Sequence, residues 1–218
     1  LNPDNVYIRQ SQVQTIHGHG LMTYTFNEEG FLTGVIYNEK LIYSFDYPED
    51  NPNKVLLTEY SWDTDQEYYT EFTIGANSFA NIAVNTNNYD SYREVYKFYY
   101  DSEGHLVKCN FAGEIYTFKY ENGNLTYIDS DEKSETITYN NEANNYAVMP
   151  YTSVSPSFTN STFGVSLTNA FLGGLLGRPT KNLPVTSTTH DKAERFDDSV
   201  YEFQYTYNEF GQLININY

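Results

Sequence analysis

Aromatic and polar residues alternate along most of the chain. Near its end, Tyr201, Phe203, Tyr205 and Tyr207 occupy every second position, and polar residues lie between them. A period of two places the rings on one face of a strand and the polar groups on the other. This pattern predicts fourteen short strands, near 6–15, 22–26, 32–37, 40–47, 54–62, 67–74, 80–85, 92–100, 106–111, 114–120, 125–129, 134–140, 201–208 and 213–218.

One sequence phrase recurs at 24–32, 96–106, 116–125 and 201–213. It consists of alternating aromatics, a polar turn closed by glycine, and then leucine before a second apolar run. Glycine adopts the positive φ that closes a short hairpin loop, and Asp, Asn and Ser favour the turn itself. Each copy therefore predicts a β-hairpin, and successive hairpins predict an antiparallel meander.

A single open sheet rarely holds more than about ten strands without curling or splitting. We therefore predict an all-β antiparallel meander that is curved into an open or partly closed barrel, in a single domain over 1–218. Residues 141–199 break the alternation and predict a capping excursion within that domain. The glycine- and leucine-rich stretch at 167–177 predicts one short helix, ended by Gly177 and Pro179.

The phrase Tyr-x-Phe-x-Tyr-Asp/Asn-x-x-Gly-x-Leu resembles the tyrosine–aspartate repeats of large secreted bacterial shell proteins. Together with Gly-Arg-Pro-Thr-Lys-Asn-Leu-Pro at 177–184, residues 20–218 resemble a family of uncharacterised lipoproteins from gut Bacteroidetes, a domain of unknown function with a porin-like fold. The resemblance implies a cell-envelope protein that an upstream lipid anchors to the outer membrane, on its periplasmic or exposed side. It brings no activity and no catalytic residues.

Composition narrows the range of partners. Twelve basic residues against 29 acidic ones give a net charge of −17, which disfavours nucleic-acid binding and favours a soluble monomer.

The longest apolar run, at 170–177, is shorter than the roughly 20 residues of a membrane-spanning helix. The alternating terminal strand at 211–218 resembles that of outer-membrane barrels, but the predicted strands are mostly shorter than the 9–11 residues such barrels need. Insertion is therefore a weaker alternative.

Candidate catalytic and metal-binding groups are few. His17 and His19 lack a third ligand, and the acidic stretches 63–67 and 129–132 lack the remaining positions of a calcium loop. Both stretches are interpreted as hairpin turns. The single cysteine, Cys109, excludes a disulfide framework and is expected in the core. We expect no enzyme activity, no cofactor and no metal.

Aromatic residues that break the alternation are the candidate binding residues: Tyr69, Tyr99 and Phe210. Neighbouring rings place an aromatic on both faces of a strand. Either the 141–199 excursion covers the second face, as we expect, or the rings form a platform for a sugar or peptide.

The leading hypothesis is a non-enzymatic surface module of the cell envelope that binds a glycan or a protein. The alternative is a lipocalin-like carrier, which needs an empty apolar interior. A carbohydrate-active hydrolase is weaker, because it needs two inward carboxylates at a suitable distance.

Overall fold

The computed structural model describes residues 12–17, 20–29, 31–61, 66–87, 93–111, 113–145, 170, 173–207, 209 and 213–217. In this part of the chain the regular elements are sixteen β-strands, whose bounds follow. They are β1 (Gln12–His17), β2 (Gly20–Phe26), β3 (Leu32–Tyr37), β4 (Lys40–Asp46), β5 (Lys54–Tyr60), β6 (Glu67–Ile74), β7 (Ala80–Asn87), β8 (Arg93–Tyr100), β9 (Leu106–Phe111), β10 (Glu114–Glu121), β11 (Asn124–Asp129), β12 (Lys133–Ala143), β13 (Asn182–Asp191), β14 (Ser199–Glu202), β15 (Gln204–Tyr207) and β16 (Leu213–Asn217). No helix of the described residues is long and apolar enough to span a bilayer.

Strands β1–β14 form one antiparallel sheet in sequence order, and β15 pairs with β16 in a separate hairpin. One residue, Phe203, divides β14 from β15, and its amide still donates to the carbonyl oxygen of Val185 on β13. Strand β16 lies against β1, so the sheet curves until the hairpin meets its first strand. The hydrogen-bonded sheet is not closed. This architecture confirms the predicted meander in an open barrel.

The repeated phrase builds tight turns through its Asp or Asn. Oδ1 of Asn27 accepts a hydrogen bond from the amide of Phe31 at 2.8 Å, and Oδ1 of Asp101 accepts one from His105 at 2.9 Å. Gly104 supplies the positive φ of 87° that closes the second turn. Because neighbouring strands reverse direction, the turns after β2, β4, β6, β8 and β10 all lie at one end of the barrel, which we call the repeat end.

The 141–199 stretch differs from its prediction. Strand β12 continues to Ala143, and β13 lies wholly within the stretch, paired with β12 from Lys133↔Asp191 onward. The side chains of Ser187 and Thr189 are buried on β13. Because these inward residues are polar, the pattern of alternating aromatics does not predict this strand.

The described residues of the remaining connection, 144–181, lie at the repeat end; they are 144–145, 170 and 173–181. The amide of Ala80 donates to the carbonyl of Leu175, and the amide of Arg178 donates to the carbonyl of Gly104. Leu175 and Leu176 are fully buried, which confirms that the described end of the glycine- and leucine-rich stretch, at 173–177, is packed.

The described end of the predicted helix, at 173–177, is not helical. Residues 173–174 form a turn, residues 176–177 form a bend, and Gly174 and Gly177 take positive φ angles that an α-helix does not allow. Ala170 alone is described as helical, and 171–172 and most of the earlier part lie outside the described residues.

Inward apolar side chains from β2 to β12 pack into one cluster. Phe72 and Leu106 are fully buried there, and Leu175 and Leu176 join the cluster from the 144–181 connection. The interior towards the repeat end is therefore filled with aliphatic and aromatic side chains.

Candidate functional site

Tyr99 lies on the outer face of the barrel. On β8 the side chains of Tyr96 and Phe98 are buried, whereas Tyr99 points outward and is 47% exposed. The expectation that the 141–199 stretch covers this ring is therefore wrong. Phe210, another predicted candidate, lies outside the described residues.

Lysines lie beside Tyr99 and beside a second outward tyrosine, Tyr127. Tyr99 stands directly opposite Lys108 on β9, whose Nζ lies 5.5 Å from the ring centre. Lys119 on β10 stands opposite Tyr127 on β11, with its Nζ 4.8 Å from that ring. Both distances fall in the range of cation–π contacts. We name as the outer patch the outward side chains Lys97, Tyr99, Lys108, Ile115, Lys119 and Tyr127.

The outer patch is cationic within a strongly acidic chain. Alternation directs Glu94 and Glu114 to the inside of the barrel. Among the described residues, no carboxylate lies within 4.0 Å of the three lysine amines of the patch. At its border, the charge of Asp129 is met by Lys192 at 2.8 Å. The lysine charges of this face are therefore available to a ligand.

Tyr69 also points outward, but the register separates it from Tyr99. It stands opposite Thr86 on β7, which stands opposite Arg93 on β8. Six residues along β8 separate Arg93 from Tyr99, or about 20 Å at roughly 3.3 Å per residue. Tyr69 is also half-buried, so the two tyrosines do not form one platform.

The inner face opposite the repeat end is polar. The hydroxyl of Tyr96 donates to Oε2 of Glu94 at 2.9 Å, and that of Tyr116 donates to Oε2 of Glu114 at 2.6 Å. In each pair the two residues lie two positions apart on one strand and so share a face. The carboxylates of Glu94 and Glu114 are thus paired with tyrosine hydroxyls.

Glu59 lies in the same polar region. It stands between Tyr43 on β4 and Tyr68 on β6 in the strand register. Loss of solvent raises the pKa of Glu59 to about 7. Burial, and next the charge of Glu59, raise the pKa of Tyr43 well above its ordinary value. Inward carboxylates are present for the hydrolase alternative, which stays a prediction.

The acidic turn at 129–132 forms ion pairs. Asp129 contacts Lys192, and Glu132 contacts Arg195 at 3.5 Å. Within the described ranges, no three His, Cys, Asp or Glu side chains are grouped as metal ligands. The side chains of His17 and His19, and residues 63–65, lie outside those ranges.

Cys109 belongs to the core, as expected. Its side chain is fully buried, and the loss of solvent raises the pKa of its thiol to about 12. A thiol that stays protonated at neutral pH is a poor nucleophile. Cys109 therefore acts as a small packing residue.

The packed interior also bears on the carrier alternative. A lipocalin-like carrier needs apolar side chains that surround an empty space. The inward apolar residues instead contact one another, and Leu175 and Leu176 fill the cluster at the repeat end. These contacts describe the repeat end of the interior, and the carrier alternative stays a prediction.

The three lysines of the outer patch were not among the sequence candidates. Lys97 shares a strand face with Tyr99, since the two are separated by one residue. Basic residues at outward positions of successive strands are a readable signal. Which strands are neighbours, and in what register, follows only from the structure.

Comparison with known proteins supports the fold. A solved structure of a porin-like protein from Bacteroides uniformis matches with a TM-score of 0.64 and 16% sequence identity, over 93% of this chain and 84% of that chain. No family model matches this chain, and no curated protein does either. The likeness shows a porin-like fold.

Proposed function

We propose that this chain is a non-enzymatic binding module of the bacterial cell envelope, held at the outer membrane by an upstream lipid, and that it recognises a glycan through the outer patch. The porin-like neighbour from Bacteroides and the resemblance to lipoproteins of gut Bacteroidetes support the location. The binding role rests on the side chain of Tyr99, which is 47% exposed on the outer face of β8, a strand with a neighbour on each side.

An exposed tyrosine on a rigid strand suits sugar recognition. The ring offers an apolar face and its hydroxyl offers a polar rim. Strand β8 is hydrogen-bonded to β7 and β9 on its two sides, so the ring stands on a fixed support. Binding to such a preformed surface costs little conformational ordering.

Affinity electrophoresis through gels that contain single polysaccharides tests the proposal. We expect at least one envelope or dietary polysaccharide to retard the chain, and we expect Tyr99→Ala to remove the retardation. Tyr69→Ala is the matched control, because it removes another outward tyrosine about 20 Å away. If both variants migrate like the parent chain in every gel that retards it, the outer patch is not the glycan site.

The non-enzymatic part of the proposal has its own measurement. Polysaccharide that retards the chain is incubated with it, and new reducing ends are measured over time. We expect none. Release of reducing ends that Glu59→Gln or Glu94→Gln abolishes would instead establish the hydrolase alternative.

A further inference from the structure

We infer that the ligand of the outer patch is an anionic polysaccharide, with carboxylate or sulfate groups repeated along its chain. This inference rests on the proposed glycan-binding function and specifies its substrate class. It is carried by the arrangement of Lys97, Lys108 and Lys119.

The three lysines form a diagonal row across β8, β9 and β10. Lys97 stands in register with Asn110, two residues from Lys108 on β9, and Lys108 stands in register with Thr117, two residues from Lys119 on β10. Each step therefore crosses one strand spacing and two residues along a strand. With strands about 4.8 Å apart and residues about 3.3 Å apart, successive lysine Cα atoms are roughly 8 Å apart.

Aromatic rings accompany this row. Tyr99 stands beside Lys108, and Tyr127 stands beside Lys119, each within cation–π distance of the amine. Ile115, 41% exposed, lies in the same register row as Lys97. A ligand that alternates ring faces with negative groups over about 16 Å matches this pattern better than a single small anion does.

Charge complementarity sets the sign of the ligand. The chain carries 29 acidic and 12 basic residues, yet no described carboxylate pairs with any lysine of the diagonal row. Two outward carboxylates, Asp129 and Glu121, border the row near Lys119. Asp129 is paired with Lys192. At physiological salt, where screening acts over about 8 Å, an anion at the row is attracted by the nearby lysines, while acidic groups farther away are largely screened.

The position of the row favours a polysaccharide over a peptide. Peptides that bind sheets commonly add a strand to an open edge and gain backbone hydrogen bonds. Strands β8–β10 are interior strands of the sheet, with neighbours on both sides. Side chains alone are offered on this face, which suits sugar rings and their charged substituents.

Matched polymer pairs test the inference. The 218-residue chain is titrated by calorimetry with dextran sulfate and dextran, and with polygalacturonate and its methyl ester, in 150 mM salt; polyglutamate is the polyanion without sugar rings. The variants are the triple Lys97→Gln, Lys108→Gln, Lys119→Gln, then Tyr99→Ala, with Lys54→Gln as a control lysine on β5. Melting temperatures verify that all variants fold.

We expect at least one anionic polysaccharide to bind at least tenfold more tightly than its neutral partner. The triple variant should lose at least tenfold in affinity, Tyr99→Ala should lose a comparable amount, and Lys54→Gln should match the parent chain. Binding should weaken in 500 mM salt, since the contacts are electrostatic.

Other outcomes separate the inference from the proposed function. Equal binding of neutral and charged partners, lost in Tyr99→Ala but kept in the triple variant, overturns the anionic ligand and leaves the glycan site in place. Equal binding of polyglutamate with no effect of Tyr99→Ala overturns both in favour of an acidic protein partner. No binding of either anionic polysaccharide overturns the inference, and the gel panel then decides the glycan site alone.

Discussion

Gly177 lies so close to Gly104 that a Cβ atom on Gly177 would stand 2.6 Å from the carbonyl oxygen of Gly104. The contact places the described end of the connection, at 173–181, against the turn between β8 and β9. That turn is one of those that the repeated phrase forms. The amide of the next residue, Arg178, donates to that same carbonyl at 2.9 Å. At this point the backbone of the connection therefore packs directly against the backbone of the turn.

Replacement of Gly177 by alanine should destabilise the fold by about 2–4 kcal/mol, because its φ of 94° is unfavourable for alanine and the added methyl meets backbone. Gly113→Ala is the matched control. Gly113 has a φ of 93°, but a methyl group added there would meet nothing within 4 Å, so this variant should lose only about 1–2 kcal/mol. Urea denaturation gives both values, and equal losses would contradict the packed contact.

Leu175→Asp should cost several kcal/mol, since it places an unpaired charge at a fully buried position. Leu41→Asp changes an outward leucine that is 40% exposed and should cost much less. Calorimetric melting measures both losses. The same measurement tests the single domain over 1–218, because the parent chain should then show one unfolding transition. A separate transition lost only in Leu175→Asp would show that the connection folds independently.

Glu59 should make stability depend on pH. The folded carboxyl keeps its proton up to a pKa of about 7, whereas its ordinary value is 4.5. Between those values the folded chain binds more protons than the unfolded chain, so this group's contribution to stability falls as pH rises. Relative to the parent chain, Glu59→Gln should therefore raise the free energy of unfolding by about 1–3 kcal/mol at pH 8. At pH 4.5 the two chains should differ little.

Chemical denaturation of Glu59→Gln at pH 4.5, 6 and 8 measures this difference. Glu49→Gln, at an exposed turn position, is the control for the change from carboxylate to amide, and at pH 8 its free energy of unfolding should stay within about 0.5 kcal/mol of the parent chain's. A Glu59→Gln profile parallel to that of the parent chain would show that Glu59 ionises at its ordinary pKa.

Tyr96→Phe should lower the free energy of unfolding by about 1–3 kcal/mol, because it removes from a buried ring the hydroxyl that donates to the carboxylate of Glu94. Tyr99→Phe removes the corresponding hydroxyl from an exposed ring, and it should change the free energy of unfolding by no more than about 0.5 kcal/mol. The free energies of unfolding at neutral pH compare the two, and similar values would contradict a stabilising role for the inner pair.

The net charge of −17 predicts that the chain elutes as a monomer in size-exclusion chromatography without detergent. Light scattering on the eluted peak gives the mass directly. A peak that appears only with detergent would support the outer-membrane barrel alternative over the surface module.

The strands and repeat turns were predictable from the sequence because their signals are local. Alternation along one strand shows which face is buried, and Asn27 or Asp101 forms its turn with residues at most four positions ahead. Tyr99 was a candidate for the same reason, since two adjacent aromatics must occupy opposite faces.

The remaining features depend on contacts between distant residues. Strand β13 forms with polar inward side chains because β12 provides a partner. The pKa of Glu59 is raised because its carboxyl is buried in the assembled sheet, where β5 lies between β4 and β6. The diagonal of Lys97, Lys108 and Lys119 exists only through the register of three strands. Pairing and burial arise from the whole sheet, and for this reason the tertiary structure alone decided them.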